Sequence, residues 1–323
     1  MKNIDYVMDE KNRSHAENEA LKKDFSHAKI LNNFCAWSDL LGFGSMVSKN
    51  DWSPTIEDWE KVYNRLSTVQ NIYLHNFDLV EKCLISNDAL IRTYDVDYTL
   101  KINKEELEKK VECPITSIVY LVSLWIWKLV DFFNTVNAID KGENNYPGMR
   151  LVLAAGTRFE YGLKSVSWLD MLPDEVLKGK ANNSNYNLPD NFIGSPSYYM
   201  RKNKIIYYIH DFLQMNTAFS KSYLIDSLGT KGGVPGPNFY IDKSAIQLLI
   251  YLAKELKYDY ESYDDGDYTY FYIKTSNNRN LYGFKMSQII HVKGDKEKIV
   301  SDVYKLISYE LYDDGEIWID IKS

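Results

Sequence analysis

The chain has 323 residues, 45% of them hydrophobic, and a formal net charge of −7. That length and apolar fraction suffice for one large core or two smaller ones, while the acidic balance argues against a reader of nucleic-acid backbones, which carries a basic face. Three isolated cysteines, Cys35, Cys83 and Cys113, form no CxxC pair; this argues against a zinc site or a disulfide framework and fits reduced thiols in the cytoplasm.

Residues 1 to 29 are polar and charged without an apolar stretch, so no targeting segment is expected there. The run Ala36-Trp37-Ser38-Asp39-Leu40-Leu41-Gly42-Phe43-Gly44 then puts a carboxylate at the end of an apolar strand, immediately before a glycine turn. Such a carboxylate is a hard oxygen ligand for a divalent metal, the Leu40 carbonyl can supply another, and Gly42 lets the next loop approach a phosphate closely. The same residues also suit a plain turn or helix cap. Trp37 lies two before Asp39 and therefore on the same face of the strand, where it either stacks on a planar ligand or fills the core.

Ile56, Trp59, Val62, Tyr63, Leu66, Val69 and Ile72 recur at helical spacing and predict a helix over 55–77, opened by Ser53-Pro54 with Glu57 and Asp58 in its first turn. Residues 81–94 follow as two strand-like runs around Asn87-Asp88, a hairpin with a second carboxylate at its tip. The order strand, helix, hairpin can bring Asp39 and Asp88 together on neighbouring strands. Two carboxylates holding two metals is a common device for moving phosphoryl groups.

The uncharged run from Cys113 to Trp127 is shorter than the roughly 20 residues that span a bilayer. It predicts a buried helix after Pro114, carrying Ile118, Leu121, Val122, Trp125, Leu129, Phe132 and Phe133. Residues 182–196 read as a polar loop and 204–210 as a strand. The Gly-rich stretch 229–237 lacks the Gly-Lys-Ser/Thr order of a phosphate loop and reads as a connection. From Asp242 onward the pattern predicts a helix on Ile246, Leu249, Ile250 and Leu252, strands at 268–273 and 281–286, a last helix on Ile299, Val303, Leu306 and Ile307, and a closing strand at 316–321. Asp264-Asp265-Gly266-Asp267 lacks the spacing of a calcium loop and predicts a hairpin turn. The five histidines are scattered without metal-ligand spacing; His210-Asp211 suits a helix start or a contact to base or ribose.

With these blocks in place the chain resembles the class III nucleotide cyclases. Their first strand ends in an Asp-aliphatic-x-Gly-Phe motif, matched by Asp39 to Phe43, and their second metal Asp sits in a hairpin, usually after Gly, where this chain has Asn87. Residues 149–157 resemble the family's fourth strand. Residues 214–221 resemble its Val-Asn-x-Ala-x-Arg helix, whose Asn and Arg contact the ribose and the reacting phosphate. The expected Arg is replaced by Ser220; Lys221 points about 100° away around a helix and lacks the guanidinium fork. Arg92, Arg150, Arg158 and Lys221 are the cations from which a substitute is expected. The likeness runs over roughly residues 30–240, and among the family's branches the large inserted versions resemble the Pycsar antiphage pyrimidine cyclases.

The resemblance implies an α+β fold with a ferredoxin-like, mixed and largely antiparallel sheet, spanning residues 30–241 and followed by a C-terminal α/β extension over 242–323. It implies conversion of a nucleoside triphosphate to a 3′,5′-cyclic mononucleotide and pyrophosphate. Two Mn²⁺ or Mg²⁺ ions would be held by Asp39, Asp88 and the Leu40 carbonyl; Asn216 would orient the ribose, Lys221 would stand beside the missing Arg, and Trp37 and Phe43 would line the nucleotide. It also implies a symmetric homodimer in which the carboxylates come from one subunit and the Asn216 helix from the other, with neither nucleic acid nor membrane as a partner. An adenine-specific member carries Lys three before the second Asp and Asp seven before the Asn; Ile85 and Ile209 stand there and favour a pyrimidine. Ser220 and Asn87 support a competing expectation, a degenerate cyclase fold that binds a nucleotide or a protein without chemistry. A third is a structural interaction protein working through its C-terminal module.

Overall fold

The computed structural model describes residues 29–75, 82–97, 118–142, 144–160, 199–201, 204–206, 215–275, 279–312 and 316–321. The expectations for residues 1–28, the 182–196 loop, Pro114, Ile209 and His210-Asp211 lie outside them. The chain forms two compact units, Met1–Leu31 with Arg158–Met215, and Asn32–Thr157 with Asn216–Ser323. In the first, β5 (Tyr199–Arg201) and β6 (Lys204–Ile206) form a short antiparallel ladder.

The second unit is built on a large sheet. Its first strand, β1 (Lys29–Leu40), is followed by a short helix α1 (Phe43–Val47) and the long helix α2 (Ile56–His75). The hairpin β2 (Lys82–Ser86) and β3 (Ala89–Asp95) comes next, then α3 (Ile118–Gly142) and β4 (Met149–Glu160). Helix α4 (Thr217–Leu228) leads into β7 (Phe239–Asp242) and α5 (Lys243–Glu255). The chain closes with β8 (Asp259–Asp264), β9 (Tyr268–Lys274), β10 (Asn280–Ser287), β11 (Ile290–Lys293), β12 (Ile299–Tyr312) and β13 (Glu316–Asp320). The sheet order is β2-β3-β1-β4-β7-β12-β10-β9-β8, with β11 and β13 also on β12. The β4–β7 pair is parallel, while the pairs β1–β3, β2–β3, β7–β12, β10–β12, β9–β10 and β8–β9 are antiparallel. This is the mixed, largely antiparallel α+β architecture expected from the sequence.

One predicted element is corrected. Residues 299–307 form the first part of the long strand β12, not a helix. Ile299, Val303, Leu306 and Ile307 satisfy helical spacing, but β12 runs between β7 and β10. A strand inside a sheet can carry a dense apolar run that periodicity does not distinguish from a helix. The acidic turn at 264–267 does close the β8–β9 hairpin: Asp265 Oδ1 accepts from the Asp267 and Tyr268 amides, and Gly266 takes φ +96°.

Helix α3 is long and apolar enough to cross a bilayer by length and composition. Here Val122, Trp125, Ile126, Leu129, Val130, Phe132 and Phe133 are fully buried in the core. The helix also carries Asp140, which accepts from Arg65 of α2 at 2.6 Å with both side chains almost wholly inaccessible. Such a pair holds two elements in one register, since either charge left alone would be buried without compensation. Asn137, one turn earlier, accepts from the Met149 amide at 2.8 Å, and Arg65 also donates to the Gly148 carbonyl at 3.4 Å. Together these contacts fix the start of β4, where Arg150 begins the approach to the site.

Candidate active site

The antiparallel register of β1 and β3 pairs Asp39 with Ala89, and the Leu40 amide donates to the Asp88 carbonyl at 3.3 Å. The last carboxylate of β1 and the hairpin carboxylate are therefore neighbours at one end of the sheet. Asn87 sits at φ +58°, the left-handed region that favours glycine and that asparagine tolerates best among the others. An asparagine is thus accommodated at this turn position, where glycine would be the default. Gly42 has φ +76°, and a Cβ there would meet Pro147 Cγ at 2.9 Å, so the turn after Asp39 requires glycine to close against the loop before β4.

A third carboxylate, Asp226 near the end of α4, completes the arrangement. Asp39 is pushed up to about 7, first by burial and then by the charges of Asp226 and Asp88, with Arg150 and Arg65 acting in the opposite sense. Burial also raises Asp88 and Asp226 above the ordinary carboxylate range, the latter despite its bond to Arg150. Arg150 Nε donates to Asp226 Oδ1 at 2.6 Å, while its Nη2 lies 3.9 Å from Asp39 Oδ2. Arg65 is engaged by Asp140. Three clustered carboxylates therefore share one closely bound guanidinium, which leaves a deficit of positive charge around Asp39 and Asp88.

Those two residues supply hard oxygen donors, the kind Mg²⁺ and Mn²⁺ prefer. Among the described residues, no group of three or more Asp, Glu, His or Cys side chains is arranged to hold a metal ion. Mg²⁺ commonly takes only one or two carboxylates and completes its shell with water and substrate phosphates. The donor set and the charge deficit fit such an ion, with Asp39, Asp88 and nearby main-chain oxygen as the protein ligands.

Trp37, on the Asp39 face of β1, packs at 5.7 Å from Phe219 and edge-on at 5.1 Å from Tyr223, both on α4. Its Nε1 is buried and meets no acceptor within hydrogen-bonding distance, although it lies near enough to Asp226 to favour that residue's ionised form. Tyr223 is half exposed, so an aromatic wall borders the carboxylates. Phe43, expected beside the nucleotide, is instead a core side chain, 4% exposed.

The remaining sequence-predicted residues of the larger unit, Arg150 excepted, have their partners elsewhere. Asn216 caps α4, its Oδ1 accepting from the Phe219 amide at 3.0 Å, and its Nδ2 donates to Asn33 Oδ1 at 2.9 Å. Asn33 lies six positions before Asp39, about 20 Å along an extended strand. Lys221 pairs with the buried Asp242 at 2.9 Å, at the edge of an open cleft of about 240 Å³ lined also by Lys243, Ser244, Ser301 and Asp302. Arg92 is buried over the Tyr73 and Phe132 rings and donates to the Tyr73 carbonyl. Arg158 belongs to the smaller unit. Of Arg92, Arg150 and Lys221, the candidate cations within the larger unit, Arg150 stands among the carboxylates.

Asp226 is not among the residues expected from the sequence. Its signal was a carboxylate at the i+7 position of an otherwise aromatic stripe, Phe219, Tyr223, Asp226, on the face of α4 that meets Trp37.

No protein-family model matches the chain, and no curated protein matches it. Among solved structures it is similar to the adenylyl cyclase CyaB from P. aeruginosa, at 10% identity over 87% of this chain and 96% of that one, with a TM-score of 0.38. It is also similar to the non-canonical dimeric guanylyl cyclase domain of the RhoGC fusion protein from the aquatic fungus Blastocladiella emersonii, at 8% identity over 88% of this chain and 98% of that one, with a TM-score of 0.35.

Proposed function

We propose that this protein is a metal-dependent nucleotide cyclase acting on a nucleoside triphosphate. The observation that carries the reading is the juxtaposition of Asp39, near the end of β1, and Asp88, in the turn of the hairpin whose strand β3 pairs with β1, in surroundings that leave their charges undercompensated. Divalent ions bound there would lower the pKa of the ribose 3′-hydroxyl and neutralise the phosphate chain. In the reaction the 3′-oxygen forms a bond to the α-phosphorus, the bond from that phosphorus to the β-bridging oxygen breaks, and pyrophosphate leaves as the hydroxyl proton passes to water. Asp39 and Asp88 hold the ions, Arg150 supplies a fixed positive charge beside them, and the Trp37–Tyr223 wall borders the base.

The working unit in this reading is a cytoplasmic homodimer. Asn216 lies too far along β1 to serve the Asp39 of its own chain, so a ribose contact from it requires a second subunit across a two-fold axis. A pyrimidine is the favoured base, because Ile85 on β2 packs against the core and offers a purine edge no hydrogen bond. The product would then serve as a signal, with antiphage defence as the proposed setting. One observation favours a second reading, binding without turnover: the Asn216 amide and the Lys221 ammonium both have protein partners. Incubation of the purified protein with ATP, GTP, CTP or UTP and Mn²⁺, followed by mass spectrometry, separates the two. A cyclic mononucleotide supports the enzyme, with cyclic CMP or UMP expected to dominate; no product from any of the four, alongside measurable nucleotide binding, supports the second reading.

A further inference from the structure

We propose that Asp226 is a positioning residue that holds the Arg150 guanidinium off Asp39, keeping that carboxylate open to a divalent cation. The inference rests on the reading of Asp39 as an ion ligand given above. Arg150 stands between two carboxylates and bonds closely to only one. Asp226 engages it twice, through Oδ1 to Nε at 2.6 Å and through its main-chain carbonyl to Nη2 at 2.9 Å. A third acceptor, the Val234 carbonyl, takes Nη1 at 3.4 Å. The same Nη2 remains 3.9 Å from Asp39 Oδ2, beyond a direct hydrogen bond.

The double grip has a local cause. Asp226 lies in the last turn of α4, where carbonyls lack a full set of intrahelical partners, and its carbonyl oxygen accepts from both the Gly229 amide and Arg150. Gly229, at φ +51°, faces the guanidinium closely, and a Cβ there would stand 3.4 Å from Nη1. The guanidinium is thus fixed on three sides by the end of α4 and the loop after it. Without the Asp226 carboxylate, the nearest acid left to Arg150 is Asp39. A planar fork pairs with a carboxylate through both oxygens, which are the atoms a cation would need. The two carboxylates therefore compete for one guanidinium, and the geometry gives it to Asp226.

The test is Mn²⁺ binding by the full chain without nucleotide, followed by electron paramagnetic resonance, in wild type, Asp226→Asn, Arg150→Met and the double variant. Asp226→Ser is carried in parallel, and the fold of each variant is checked by circular dichroism. Loss of the Asp226 charge is expected to weaken Mn²⁺ binding about ten-fold, the effect of a partly desolvated ion pair forming at Asp39. Adding Arg150→Met to Asp226→Asn should return the affinity to at least the wild-type value, because no guanidinium remains to cover Asp39. A merely structural role would not give that recovery. Wild-type affinity in Asp226→Asn, or a double variant as weak as Asp226→Asn, overturns the proposal while leaving Asp39 as an ion ligand. Absence of Mn²⁺ binding in wild type overturns both. A second readout needs no ion: in urea unfolding with EDTA, the coupling between Arg150→Met and Asp39→Asn should rise about ten-fold in equilibrium constant when Asp226 is Asn. Unchanged coupling also refutes the competition.

Discussion

Replacing Asp39 with asparagine should make the metal-free protein more stable, and the gain should depend on pH. Asp39 titrates at about 7 in the folded chain against an ordinary 3.8, chiefly because it is buried and then because Asp226 and Asp88 repel it. A folded pKa above the unfolded one means that the native state holds the proton more tightly. Below about pH 4 both states are protonated and the group is neutral in its effect; between 4 and 7 stability falls with rising pH, and above 7 the folded state carries the whole penalty. Three pH units correspond to about 4 kcal/mol, and the side chain retains 26% exposure, so solvent screening reduces the expected gain to about 1–2 kcal/mol. Urea unfolding of wild type and Asp39→Asn, in EDTA at pH 8 and pH 4.5, measures it. The variant should exceed wild type at pH 8, and the difference should shrink strongly at pH 4.5. A variant no more stable than wild type at pH 8, or a gain independent of pH, would refute the idea that Asp39 is held at an electrostatic cost. Mn²⁺ should raise the wild-type melting temperature at pH 8 and leave the variant nearly unmoved, since only the carboxylate rewards the ion.

Asp39→Asn and Asp88→Asn should each abolish nearly all cyclic nucleotide formation while preserving the fold; appreciable turnover in either would end the two-carboxylate assignment. Mixing Asp39→Asn chains with Asn216→Ala chains should restore part of the activity if the site is shared between subunits, and mixed dimers that stay inactive would argue against sharing. Arg65→Met should cost about 3–5 kcal/mol in denaturant unfolding, because it strands Asp140 in the core; a loss below 1 kcal/mol would show that the pair is not needed to hold α2 on α3. Asn87→Gly should change stability by less than about 1 kcal/mol, as the position already has φ +58°, and a larger loss would mean that the Asn side chain holds the hairpin.

The parts of this protein that sequence determines are those whose causes are local. The strand that carries Asp39 near its end, the helix observed over Ile56–His75, the hairpin around Asn87-Asp88 and the turn at 264–267 each follow from side-chain alternation, helical spacing or turn residues within a few positions. The neighbourhood of Asp39 and Asp88 was legible for the same reason, since a strand and the hairpin that pairs with it leave few alternatives.

Tertiary structure decided the rest. Residues 299–307 carry apolar spacing that suits a helix in isolation, and only their place between β7 and β10 makes them a strand. Asn216 and Lys221 are polar residues whose partners, Asn33 and Asp242, are fixed by packing across the chain rather than by their own helix. Arg150 and Asp226 are separated by 76 positions, so nothing in local sequence pairs this arginine with this aspartate. Charge acts through space and burial, and both are set only when the sheet and α4 have come together; the charge balance at Asp39 is therefore a property of the folded chain alone.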